Sequence, residues 1–208
     1  MNRRAMIKPA TFKPKTFLAG LALAAALPLA ACNSAPKEEP PLAGAKIGGP
    51  FTLVDHTGKT VEWKDFAGKW RIVYFGYTWC PDACPLDVGV MMNGLHKFAH
   101  DHPQQAAQIR PLFITIDPER DTPARVGEFA AAFGPELTGL TGSAAQVDQA
   151  AKAFVAYYAR GKNMPGGGYL MDHSRIAYLM DPAGQPVAML PIDKGPEAVA
   201  ADLARWVR

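Results

Sequence analysis

Residues 71–88 read RIVYFGYTWCPDACPLDV. A dense run of Val, Ile and aromatic residues enters this stretch, two cysteines stand in its middle, and an apolar helical pattern leaves it. The first part, RIVYFGY, suits a strand buried on both faces. From Val88 the apolar residues Met91, Met92, Leu95, Phe98 and Ala99 recur at helical spacing, which predicts a helix over 85–100. Strand, cysteine loop and helix in that order is the start of an α/β fold, with a pair of thiols at the join.

The two prolines shape the loop. A residue before proline is pushed away from helical backbone angles, and both Cys80 and Cys84 precede one. Pro85 suits the first helical position, so Cys84 is expected as the N-cap and Cys80 in the turn before it. Both sulfurs then stand near the positive end of a helix, which favours thiolate over thiol. The spacing is C-x-x-x-C rather than the C-x-x-C of thioredoxin-type redox pairs. A disulfide needs Cβ atoms ~3.8 Å apart, whereas i and i+4 on a helix stand ~5–6 Å apart. A bent loop closes that gap, so a disulfide is open to this pair. The wider bite also suits one ion held at about 2.3 Å by each sulfur, taking zinc–thiolate lengths as a guide. Two sulfurs leave a coordination shell incomplete, so a metal reading needs a third ligand.

The rest of the chain alternates strands and helices. FTLVDHTGKTVEW (51–63) reads as a hairpin turning at His56–Lys59. IRPLFITID (109–117) is a second buried strand. A helix follows, with Thr122 as N-cap and Pro123 at its first position. A short strand reaches Leu140, and SAAQVDQAAKAFVAYYA (143–159) reads as an amphipathic helix capped by Ser143. GKNMPGGGYLMD is a Gly-rich loop. SRIAYLMD and QPVAMLPI form a second hairpin, and PEAVAADLARWVR a closing helix. This order predicts an α/β sandwich with a mixed sheet, best matched by a thioredoxin-like fold with an additional N-terminal hairpin, over residues 51–208. Gly166–Gly168 lacks the Lys-Ser/Thr ending of a phosphate loop and is read as a loop only.

Charge excludes one class of partner. The formal net charge is +3. Five bases, Arg3, Arg4, Lys8, Lys13 and Lys15, fall in residues 1–31, which hold no acid. Setting them aside leaves 17 basic against 19 acidic residues, a net of −2. No basic stripe remains to bind a nucleic-acid backbone. The basic start and the uncharged run FLAGLALAAALPLAA (17–31) have the form of a signal peptide. Leu29-Ala30-Ala31-Cys32 resembles the lipobox of bacterial lipoproteins. That resemblance implies cleavage before Cys32, acylation of its thiol, and a protein anchored on the periplasmic side of the bacterial cell envelope. The other reading is a plain secretory peptide. Residues 32–50, rich in Pro, Gly and Ala, read as a flexible tether. With Cys32 lipidated, Cys80 and Cys84 are the remaining even pair.

Of five histidines, His96, His100 and His102 lie on or just past the polar face of the first helix, and His56 lies in a turn; all four read as surface residues. His173 stands between the Gly-rich loop and a buried strand, where functional groups are often carried. Its position is open between ligand and ordinary loop residue. Asp172 beside it either orients the imidazole or is solvated. The acidic run Asp117-Pro118-Glu119-Arg120-Asp121 reads as a strand-end turn opening a helix. Its carboxylates are also placed to contact a basic partner or buttress the site.

GYTWCPDACP, FITIDPERDTP and DHSRIAYLMDPAG, in that order and at these distances, resemble the Sco/SenC family over residues 46–207. The resemblance implies a thioredoxin-like fold and copper bound by Cys80, Cys84 and His173. It implies a role in assembling the dinuclear copper centre of cytochrome c oxidase. The partners would be the copper-receiving subunit of that oxidase and other copper chaperones. Two forms of the role stay open: copper chaperone, or thiol-disulfide oxidoreductase using Cys80 and Cys84 as a redox pair. A peroxidase-like thiol enzyme ranks below both, because the second thiol lies one turn away. Trp79 stands before the first cysteine, where relatives vary, and bears on shielding of the metal. The ligand chemistry agrees with copper: thiolates suit Cu(I), and an added imidazole suits Cu(II). Zinc accepts the same set.

Overall fold

The computed structural model describes residues 38–164 and 167–208. The leader over 1–31, Cys32 and the first part of the tether lie outside the described residues. No helix among the described residues is long and apolar enough to cross a membrane.

The strand expected at 71–77 is β3 (Trp70–Gly76), and every one of its residues is buried. It pairs in parallel with β4 (Ile109–Thr115) through seven residue pairs, from Trp70↔Ile109 to Gly76↔Thr115. The crossover between them is α1 (Ala83–Asp101) and the short α2 (Pro103–Ala106). After β4 come α3 (Pro123–Ala131), β5 (Thr138–Thr141) and α4 (Ala144–Ala153). Next are β6 (Tyr158–Asn163) and β7 (Tyr169–His173), then β8 (Ala177–Met180), β9 (Pro186–Leu190) and α5 (Pro196–Trp206). The N-terminal hairpin is β1 (Thr52–Asp55) and β2 (Thr60–Glu62). Among the described residues seven strands form one mixed sheet in the order β2-β1-β5-β4-β3-β8-β9. β3, β4 and β5 run parallel; β8 joins β3 antiparallel, and the hairpin adds the far edge. The β3–α1–β4 unit followed by the β8–β9 hairpin and α5 is the thioredoxin-like arrangement.

Pleat alternation sends neighbouring side chains to opposite faces. Tyr74 stacks on Phe113 of β4, which in turn meets Phe129 of α3 at 4.5 Å. Phe75 points the other way and meets Phe154 at the end of α4, 5.5 Å between centroids. Helices thus cover both faces of the sheet. α1 and α5 cross closely at Gly94, where a methyl group would stand 2.5 Å from Val199. The caps at Thr122 and Ser143 form as the sequence predicts: Arg125 N–H donates to Thr122 and Gln146 N–H to Ser143.

Away from the cysteine loop, three boundaries differ from the sequence reading. The helix expected over 143–159 ends at Ala153, because Phe154 turns into the core and Val155 takes a left-handed backbone, φ 52°. Residues 161–163 and 169–172, expected within a Gly-rich loop, are instead strand: β6 and β7 pair antiparallel as a two-stranded ribbon that, among the described residues, does not pair with the main sheet. The tether expected over 32–50 is shorter in its described part. Leu42 N–H donates to Val187 O and Gly48 N–H to Ala153 O, and Leu42 and Ile47 pack on the core.

Candidate metal centre

The cysteine loop leaves β3 at Gly76 and turns back on itself where Cys80 N–H donates to Tyr77 O. The helix then starts earlier than expected. Asp82 is its N-cap, Ala83 its first residue, and Cys84 lies inside the first turn rather than capping it. Proline disfavours a helical residue before it without forbidding one, and here local bonding favours the longer helix. The Cys84 N–H, which has no partner within the helix, donates to Cys80 Sγ at 3.2 Å. Pro85, the third helical residue, brings no N–H to satisfy. The Asp82 side chain makes no capping bond, so the Cys80 sulfur performs that task.

His173 is the last residue of β7. Its Nε2 lies 3.3 Å from Cys84 Sγ, and its Nδ1 lies 3.0 Å from the Ser174 carbonyl oxygen. A carbonyl only accepts, so in the neutral ring Nδ1 carries the proton and Nε2 turns a lone pair to the sulfurs. Tyr74 and Tyr77 meet the imidazole edge-on, at 6.3 and 5.9 Å between centroids. The donor atoms of Cys80, Cys84 and His173 all lie within 4.8 Å of one another. Cys84 is fully buried, and Cys80 and His173 are half-buried. Gly76 makes room for the thiol: a methyl group there would stand 3.1 Å from Cys84 Sγ and 2.9 Å from the Tyr74 ring.

The two sulfurs do not share one bias. A hydrogen bond from the Cys84 thiol draws the Cys80 pKa down to about 3, against the opposing effect of burial. The backbone amides of Cys84 and Asp82 add to the lowering. Cys84 moves up, because it holds the proton it shares with Cys80 and because it is buried beside that negative sulfur. The expectation of two thiolates at the helix end is thus corrected to one thiolate and one thiol. Two negative sulfurs in contact repel more than a helix terminus compensates. Burial, reinforced by Cys80, pushes the Tyr77 phenol up to about 12.

The loop Asp117–Asp121 buttresses the site from below. Asp121 is fully buried and accepts from Thr78 N–H (2.9 Å), the Thr78 hydroxyl (2.6 Å) and the Thr115 hydroxyl (2.6 Å). It therefore fixes the chain two residues before Cys80. Asp117 accepts from Arg120 Nε at 2.5 Å and from the Tyr169 hydroxyl at 2.8 Å. Tyr169 opens the strand that ends in His173, and its ring lies between the guanidinium groups of Arg120 and Arg160 at 3.6 and 3.8 Å. Trp79 is half-exposed beside Arg125, 4.9 Å from ring centre to guanidinium.

Asp172 does not orient His173. Strand alternation turns it to the other side, it is exposed, and the Ser174 carbonyl holds Nδ1 instead. The other histidines lie away from the sulfurs. His96 faces Glu136 at 3.5 Å, His100 faces Asp101 at 2.7 Å, His102 stacks on Phe98, and His56 is exposed in its turn.

Sequence reasoning missed the polar groups behind the ligands. Asp87, 2% exposed, accepts from Arg175 Nε and Nη2 (2.8 and 2.5 Å) and from the Tyr74 hydroxyl (2.9 Å). One signal was available. Asp87 sits beside Val88 at the start of the apolar helix face, and a buried carboxylate needs a partner.

The pattern of the SCO1/SenC family matches residues 39–208. The human mitochondrial SCO1 homolog is 38% identical over 162 residues, covering 78% of this chain and 53% of that protein. Protein SenC of Rhodobacter capsulatus is 42% identical over 161 residues, covering 76% of this chain and 69% of that protein. The chain spans about half the length of most of the curated relatives it matches, 44% for an Arabidopsis thaliana SCO1 homolog. Among solved structures, copper-bound ScoI of Arabidopsis thaliana matches with a TM-score of 0.70 at 35% identity, covering 76% of this chain and 96% of that one. Copper-bound ScoI of Bradyrhizobium japonicum matches with a TM-score of 0.68 at 38% identity, covering 77% and 99%. Sequence pattern, relatives and fold agree over most of the described domain, and this chain belongs to the SCO1/SenC family.

Proposed function

We propose that this protein carries copper through Cys80, Cys84 and His173 and delivers it to, or prepares, the dinuclear copper centre of cytochrome c oxidase. The observation that carries this reading is the convergence of two sulfurs and one imidazole nitrogen within 4.8 Å. They come from a loop, a first helical turn and a ribbon 89 residues on. Two sulfurs and a nitrogen hold copper in either oxidation state. Copper is cargo here, so a site half-open at Cys80 and His173 is an asset: a partner's ligand can enter from that side. Binding displaces the proton held by Cys84. Solved relatives with copper bound support the choice of metal. The receiving partner is the copper-binding subunit of the oxidase, and other copper chaperones are the source.

The reading extends to location. Residues 1–31 are a lipoprotein signal peptide, and lipid on Cys32 holds the domain at the periplasmic face of the cell envelope through the short tether. Mass analysis of the mature N-terminus checks this. Diacylglycerol or more on Cys32 is expected; a free Cys32 or another terminus overturns it.

The metal reading is tested by metal analysis and absorption spectra of the reduced domain after Cu(II) addition, wild type against His173→Ala. A thiolate-to-copper charge-transfer band is expected in the wild type, and its loss in the variant. Equal copper retention in both overturns the three-ligand site.

The unequal thiols favour a second reading, reduction of a partner's disulfide. Cys80 thiolate attacks one partner sulfur and forms a mixed disulfide. Cys84 then gives up its proton and attacks Cys80, releasing the partner as a dithiol and leaving Cys80–Cys84 oxidised. This path does not use His173. Dithiol reduction that persists in His173→Ala while copper binding falls separates the two roles.

A further inference from the structure

A buried carboxylate joins the imidazole-bearing chain to the cysteine-bearing helix. Asp87 lies three residues after Cys84 on α1, and Arg175 lies two residues after His173 in the link between β7 and β8. They meet across 88 residues of chain. Both oxygens of Asp87 are occupied, Oδ1 by Arg175 Nη2, and Oδ2 by Arg175 Nε and the Tyr74 hydroxyl. Tyr74 belongs to β3 and meets the His173 ring edge-on. One carboxylate therefore gathers three elements that wall the site: β3, α1 and the β7–β8 link.

Tyr169 ties the start of β7 to Asp117 and Arg120, and the Asp87–Arg175 pair ties the chain just past its end, where His173 stands. Among the described residues, the β6–β7 ribbon shares no strand pairing with the main sheet. The Ser174 contacts to Tyr157 only close the base of the ribbon on the segment before β6. The chain next enters the sheet at Ala177, which pairs with Tyr74. Between those points Arg175 bonds to Asp87 of α1. A two-pronged Arg–carboxylate pair fixes orientation as well as distance, which a single bond from lysine does not.

We propose that Asp87 and Arg175 are positioning residues of the metal centre: with Tyr74 they hold the His173 imidazole at the two sulfurs before copper arrives. The proposal rests on the copper reading given above. A ligand already in place spares the ordering cost at binding. Groups one step behind the ligands carry ~10- to 100-fold of metal affinity where this has been measured.

The test uses two variants. Asp87→Asn/Arg175→Gln removes both charges together, so no buried carboxylate is left unpaired. Arg175→Lys keeps the charge and loses the two-pronged geometry. The first readout needs no metal. In the reduced protein the rings of Tyr74 and Tyr77, edge-on to His173 at 6.3 and 5.9 Å, are expected to shift its ring protons, and proton NMR follows them. In the double variant these shifts are expected to collapse towards free-histidine values. The second readout is Cu(II) affinity, expected to fall ~10- to 100-fold with the charge-transfer band moving towards that of His173→Ala. Wild-type ring shifts and wild-type affinity in the folded double variant overturn the proposal. A ring that moves while affinity stays unchanged also overturns it. If the double variant does not fold, Arg175→Lys decides by the same two readouts. If the wild type binds no copper, the copper reading itself fails, and the ring shifts alone decide whether the pair positions His173.

Discussion

Cys84 Sγ and His173 Nε2 stand 3.3 Å apart across 89 residues of chain. That contact exists because Gly76, the last residue of β3, offers no side chain to the space the thiol fills. A methyl group at 76 would meet Cys84 Sγ at 3.1 Å, the Tyr74 ring at 2.9 Å and the Phe113 ring at 3.0 Å. All three neighbours are buried and have little room to give. Gly76→Ala is expected to cost about 1–3 kcal/mol of stability, as overpacking does, and to weaken copper binding by displacing the thiol. Urea unfolding and copper titration measure the two effects. Wild-type values in both would show that the thiol has space to move.

The inequality of the two thiols has a kinetic signature. Cys80 is thiolate down to a pH of about 3, whereas an ordinary cysteine ionises near 8.5. Alkylation of a free thiol by iodoacetamide slows ~100-fold between pH 8 and pH 6. The rate at Cys80 is expected to stay nearly flat over that interval, with Cys84 protected. Site-resolved mass spectrometry of the quenched reaction reads both. A Cys80 rate that falls in step with a free thiol would remove the thiolate. The same shift has a sign in stability. The folded pKa lies below the unfolded one, so the Cys80 contribution is present in full above the ordinary thiol pKa. It is lost as pH falls towards about 3.

Metal binding should also register in the folding equilibrium. A ligand that binds the folded state alone adds ~4 kcal/mol at a thousandfold excess over its dissociation constant. Copper is therefore expected to raise the melting temperature of the reduced domain by several degrees. The increment should shrink in His173→Ala. Calorimetry on protein whose thiols are shown to be reduced makes the comparison. An unmoved melting temperature with both Cu(I) and Cu(II) would count against any metal role.

The sequence was most legible where one property decides the structure. β3 announces itself by an apolar run that leaves a buried strand as its natural state, and Thr122-Pro123 and Ser143 announce helix starts because their side chains satisfy free amides. The β6–β7 ribbon was hidden because its first strand, Tyr-Ala-Arg-Gly-Lys-Asn, is polar and does not alternate. Its stability lies in contacts such as Tyr169 with Asp117 and Arg120, made across about fifty residues. The end of α4 was hidden because Phe154 and Val155 extend an apolar pattern that the backbone leaves. At the site, the cysteines were visible from spacing and proline chemistry. His173 gained weight only from family resemblance, and the Asp87–Arg175 pair has no local signal in Arg175 at all. The unequal ionisation of the cysteines depends on a hydrogen bond between them, which reasoning from a helix terminus treats as two separate groups.

Asp121 offers a last test, because it acts on the site without touching it. Its carboxylate receives three hydrogen bonds from Thr78 and Thr115, and its own carbonyl oxygen accepts from the Thr141 hydroxyl. Burial pushes its pKa above the usual carboxylate range, and the bonds from Thr115 and Thr78 offset part of that rise. Asp121→Ala strips buried donors of their acceptor, at about 1–3 kcal/mol, and frees Thr78, two residues before Cys80. The variant is expected to be less stable and to release copper to a competing chelator faster than wild type, with His173 and both cysteines intact. The pH dependence has a definite sign. A carboxyl whose folded pKa is raised favours the folded state in acid, and that contribution fades as pH rises through the raised value. The stability gap between wild type and Asp121→Ala is therefore expected to widen as pH falls towards 4 and narrow near neutrality. Unfolding curves at several pH values decide it, and a gap that narrows in acid would mean that the ionised carboxylate, not the protonated acid, holds the Thr78 turn.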